Sequence, residues 1–116
     1  MARVSDAQLE QWKQEGYVVV EEALQGDDLR RLQAAFDRCA AQDKAAWLDE
    51  LALGTQSGAF FDIQQPLERD RVFAALADHP SYVDLLMNFL GEDHVFQGIQ
   101  IRTLPPSPVS YVGWHP

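Results

Sequence analysis

The chain has one cysteine, Cys39, in 116 residues. No internal disulfide can form, and a zinc site built on cysteines is excluded. Basic side chains are also scarce, with 9 Lys and Arg against 18 Asp and Glu, for a formal charge of −9. A nucleic-acid backbone needs clustered cations, so it is a poor partner for this chain. An anionic membrane surface is disfavoured for the same reason. Long apolar runs are missing too. The longest, such as Val72 to Ala77, fall far short of the roughly 20 residues a spanning helix needs. The opening Met1-Ala2-Arg3-Val4-Ser5-Asp6 lacks the apolar stretch of a secretory signal. These absences predict a soluble, cytoplasmic protein. The length suits one domain at most.

What is present reads as α+β. Ser5 followed by Gln8 forms a capping box, with Val4 and Leu9 spaced as a hydrophobic staple. Gly16 closes this first helix. Tyr17-Val18-Val19-Val20 is a β-branched run that predicts a buried strand. A second helix is expected from Asp27 to Lys44, with Leu29, Leu32, Phe36 and Cys39 as its apolar stripe. A shorter helical piece follows from Ala45 to Leu53, ending at Gly54. Thr55 to Gly58 reads as a loop and Ala59 to Ile63 as a short strand that Pro66 keeps from extending. Arg69 to Ala77 reads as a helix. Pro80 is placed to start another, closed by Gly91. Val95 to Leu104 alternates and predicts a strand. Pro105, Pro106 and Pro108 mark a rigid turn before an extended piece, Tyr111 to His115.

Alternation sorts the residues of that last full strand. Ile99, Ile101 and Thr103 share the face expected to pack on helices. Gln100 and Arg102 share the other, which looks either at water or into a polar pocket. His115 is either structural or a metal ligand, and Trp114 beside it is a candidate pocket wall. His79 is expected at a helix start, its ring meeting free backbone N–H groups, and His94 in a solvated turn. Cys39 lies on the helical stripe and is expected to pack rather than react. No Ser–His–Asp pattern and no Gly-rich phosphate loop occurs, and Gly91-Glu92-Asp93 lacks the further oxygens of a calcium loop. Beyond Asp93 no acidic residue occurs and Arg102 is the only formal charge, which reads as strand entering an interior.

Several of these segments resemble the phytanoyl-CoA dioxygenase family. The likeness rests on Ser5-Asp6-Ala7-Gln8-Leu9 with Glu15-Gly16-Tyr17-Val18-Val19-Val20. It continues through Phe60-Phe61-Asp62-Ile63 and Asp78-His79-Pro80. Ile101-Arg102-Thr103-Leu104-Pro105-Pro106 and Gly113-Trp114-His115 complete it. The resemblance implies helices packed on a double-stranded β-helix, or jelly roll. It implies Fe(II) as metal, 2-oxoglutarate as co-substrate and a small-molecule substrate. In that family a His-x-Asp motif and a distant His hold the iron, leaving positions open on one side. His115 matches the first His, and Pro116 stands at x. Gln100, Arg102 and Trp114 fall at pocket positions for substrate or co-substrate. The chain is then expected to be residues 1–116 of a single dioxygenase domain, cut after the first iron-ligand histidine and inactive by itself. A small non-catalytic α+β interaction domain is the alternative. The family's Ser-Pro at the start of the second helix is replaced by Gln25-Gly26, which removes a cap.

Overall fold

A computed structural model describes residues 4–54 and 61–103. Among them are five helices and one two-stranded sheet: α1 (Asp6–Glu15), α2 (Gly26–Ala52), β1 (Phe61–Asp62), α3 (Pro66–Arg69), α4 (Arg71–Ala74), α5 (Val83–Leu90) and β2 (Arg102–Thr103). The class is α+β. No helix among the described residues is long and apolar enough to cross a membrane.

α1 begins as its sequence dictates. The Ser5 hydroxyl accepts from the Gln8 amide at 3.2 Å, and Gln8 Oε1 accepts from the Ser5 amide at 3.0 Å. Two otherwise orphan donors are thereby satisfied. Gly16 ends the helix at φ 76°, and its amide bonds the Trp12 carbonyl. Trp12 then stacks on Phe89, with centroids 4.7 Å apart, tying α1 to α5.

The Tyr17–Val20 run does not form the expected strand; it lies outside the sheet. Its β-branched residues favour a pleated surface, but the ladder of the described residues offers them no partner. Nor is the run buried as expected: Val18 and Val20 are half-buried, while Tyr17 and Val19 are exposed.

α2 merges the two helical pieces anticipated on either side of Lys44. Neither glycine nor proline interrupts that junction, and the alanines there favour helix. Its start is poorly capped, since the Gln25 side chain makes no hydrogen bond to the first turn. Ala35 and Cys39 are buried from this helix. They join Ile63 and Phe73 in the core, with Leu32, Phe36, Phe61, Val72 and Ile101 packed around them.

The helix expected over Arg69–Ala77 breaks at Asp70. That residue is extended, and its carboxylate accepts the Val72 amide at 2.9 Å, so it caps a new helix, α4. Its other oxygen pairs with Arg38 of α2. Pro80 heads a turn rather than the helix proper. The Tyr82 and Val83 amides both return to the His79 carbonyl before α5 begins. Gly91 closes α5 as expected.

The predicted Val95–Leu104 strand is also shorter than its pattern. Among the described residues only Arg102 and Thr103 pair, antiparallel, with Asp62 and Phe61. The partner sets this limit. Ile63 still donates to the Ile101 carbonyl at 2.9 Å, but the Gln64 amide turns to Asp43 Oδ2, and Gln65 is left-handed at φ 47°. Beyond that point β1 has nothing to offer a neighbour.

Candidate functional site

The short ladder separates two faces. Ile63 and Ile101 pack into the core under α2, and Phe61 meets Trp47 edge-on at 5.7 Å. Asp62 and Arg102 stand directly opposite each other in the register. Their side chains close a bidentate pair: Arg102 Nε donates to Asp62 Oδ1 at 2.7 Å and Nη2 to Oδ2 at 2.9 Å. Two parallel charge-assisted bonds fix the plane of the guanidinium. The hydrogen bond it donates to Asp62 pushes the Arg102 pKa above its usual value, so the group stays cationic. A carboxylate arriving from solution meets a guanidinium already engaged by an internal one.

Gln100 and Arg102 both border a cavity of about 590 Å³ between α2 and the segment 99–102. Leu32, Phe36 and Phe73 form its apolar side, and Gln33 and Asp37 supply polar groups. Its size falls within the range typical of small-molecule sites. Gln100 is exposed at its edge.

The remaining expected residues divide. His115 and Trp114 lie outside the described residues, so their surroundings are not part of this geometry. His79 meets a backbone amide as expected, but in the turn before α5 rather than at a helix start. Nδ1 accepts the Ser81 amide at 3.2 Å and lies 2.7 Å from the Ser81 hydroxyl, while Nε2 faces Asp28 Oδ2 at 3.2 Å. In the neutral ring Nε2 therefore carries the proton. Tyr82 stacks beside it at 5.6 Å and donates to the Leu76 carbonyl. Burial, with help from the Asp78 charge, pushes the Tyr82 phenol upward. His94 is exposed, and its Nδ1 bonds the Gly91 carbonyl at 2.7 Å. Cys39 is buried in the core.

Two ion-pair arrangements have no sequence signal. Asp62 is 40 residues from Arg102. Asp43 is 26 residues from Arg69, whose Nη1 donates to Asp43 Oδ2 at 2.5 Å and whose Nη2 donates to Gln42 Oε1 at 2.6 Å. Burial pushes the Asp43 carboxyl upward. The bonds from Arg69 and the Gln64 amide, with the Arg69 charge, outweigh it and hold the group below its ordinary value.

Among the described residues no three His, Cys, Asp or Glu side chains converge to hold a metal. Nor does the sequence contain a His-x-Asp or His-x-Glu triplet, since His79, His94 and His115 are followed at that position by Ser81, Phe96 and nothing in this chain. The described residues therefore do not make up a two-His, one-carboxylate iron site.

No curated protein and no solved structure matches the chain. The family model described as Phytanoyl-CoA dioxygenase (PhyH) matches residues 12–115, from within α1 through Gly113-Trp114-His115. With nearly every residue inside that match, the chain belongs to the phytanoyl-CoA dioxygenase family, a family of oxygenases.

Proposed function

We propose that this chain is the N-terminal portion of a non-haem Fe(II)/2-oxoglutarate-dependent dioxygenase acting on a small organic substrate. In this reading the β1–β2 ladder is the first part of a jelly roll. His115 is one iron ligand, and Gln100, Arg102 and Trp114 border the substrate or co-substrate pocket. The reading is carried by the family match, which runs through Gly113-Trp114-His115. The cavity beside Gln100 and Arg102 supports it, because it puts polar groups and apolar walls of suitable size at the expected strand. Bound iron and 2-oxoglutarate would supply the oxidising chemistry. This chain's own contribution is to hold Arg102 rigid through Asp62 and to present Gln100 at the cavity rim.

One imidazole does not make a facial triad, so the 116-residue chain is expected neither to bind Fe(II) tightly nor to turn over. Anaerobic calorimetric titration with Fe(II), together with an assay of 2-oxoglutarate decarboxylation, tests both points. Tight one-to-one binding with succinate release by this chain alone would overturn that expectation. In a longer polypeptide containing these residues, His115→Ala should abolish metal binding. Undiminished binding there would remove His115 from the site.

A further inference from the structure

Away from the sheet, α2, α4 and the residues flanking them border a second hollow, open to solvent on one side, of about 540 Å³. Leu32, Val72 and Leu76 line it with apolar surface, and Arg31, Arg38 and Arg71 stand around it. Three of the chain's nine basic residues meet there, in a polypeptide of net charge −9. Helical geometry accounts for two of them. Arg31 and Arg38 are seven residues apart on α2, about 10 Å along one face. Arg71 reaches the same hollow from α4.

Two carboxylates also border it, and each is already engaged. Asp70 pairs with Arg38 and accepts the Val72 amide, while Asp28 faces His79 Nε2 at 3.2 Å. The hollow thus combines apolar walls with three guanidiniums and two carboxylates, an excess of one positive charge, and Arg31 and Arg71 form no ion pair among the described residues.

We infer that this hollow binds a small organic anion with an apolar body, of the aryl-alkyl carboxylate class. The volume suits such a molecule. The walls remove its hydrocarbon part from water, and a guanidinium presents the forked donors that a carboxylate accepts. Cations are disfavoured by Arg31 and Arg71, and a long polyanion by the acidic remainder of the chain. The inference does not rest on the proposed iron chemistry, although the hollow shares Leu32 and Leu76 with the cavity beside Gln100 and Arg102.

The test uses the isotopically labelled 116-residue chain and amide NMR titration. The probe is 4-phenylbutyrate, with 4-phenylbutan-1-ol as its neutral match. The acid should saturate with a dissociation constant of about 1 mM or tighter, shifting the Arg31, Val72 and Ala75 amides, which border this hollow and not the cavity beside Gln100 and Arg102. The alcohol should bind at least about tenfold more weakly, and added salt should weaken the acid selectively. Replacing both exposed arginines, Arg31→Gln with Arg71→Gln, should cost the acid about tenfold, close to 1.4 kcal/mol, with an unchanged far-UV spectrum. Equal binding of acid and alcohol, shifts located elsewhere, or full affinity in a folded double variant would each overturn the inference. If the double variant does not fold, the acid–alcohol comparison on the unaltered chain decides.

Discussion

Replacing Asp43 with Asn tests how the long helix is fastened to the segment after β1. The carboxylate receives Arg69 Nη1 at 2.5 Å and the Gln64 amide at 3.0 Å, and its side chain is 16% exposed against 21% for Arg69. An asparagine oxygen can keep one of these bonds but not the charge. Hydrogen bonds to charged groups contribute about 1.5–3 kcal/mol. Water still reaches both side chains, so the lower figure, about 1.5 kcal/mol, is the expected loss. For a chain of this size that corresponds to a melting point lowered by roughly 6 °C. Urea unfolding followed by circular dichroism measures it, provided the transition is two-state.

The same variant carries a pH signature. The Asp43 carboxyl titrates lower in the folded chain than in the unfolded one. Between the two values the unfolded state binds more protons, so stability rises with pH there. The contribution is fully present above the unfolded value, near about 4, and is lost as pH falls through the folded value. The gap between parent and variant should therefore be constant from neutrality down to roughly pH 5 and close in stronger acid. A loss under about 0.5 kcal/mol, the scale of an ordinary surface change, would refute the reasoning. So would a gap that persists unchanged in strong acid.

Three further outcomes follow from the geometry. Gln25 has the extended backbone of a cap residue but makes no capping bond, so Gln25→Ser should stabilise the chain by about 0.5–1 kcal/mol, read as a higher urea midpoint. Phe73 is fully buried, and Phe73→Ala should cost about 3–5 kcal/mol; a loss below about 1 kcal/mol would mean the core is not packed as described. Gly16→Ala meets open space but keeps a left-handed backbone, so it should destabilise by about 1 kcal/mol in the same assay.

Local chemistry was the most readable part of this sequence. The Ser5–Gln8 box needs only neighbours three residues apart, and the α2 stripe through Leu32, Phe36 and Cys39 needs only helical periodicity. Of the face expected to pack on helices, Ile101 does pack under α2, whereas Thr103 in β2 is exposed. Tyr17–Val20 failed because strand formation depends on a partner that propensity cannot supply. Asp70 was missed as a helix start because its capping role depends on where the chain has just turned. Alternation put Gln100 and Arg102 on one face, open to water or a pocket, and both border a cavity; Asp62, which pairs with Arg102, was not anticipated. Nothing local marks a partner 40 residues distant.

The placement of Cys39 gives the chain an internal reporter. Its sulfur sits in the same cluster as Phe73 and Ile63, with 2% of the residue exposed. A thiol reagent can reach it only when that cluster opens, so the alkylation rate under native conditions counts such excursions. No engineered label is needed to follow how often the interior breathes.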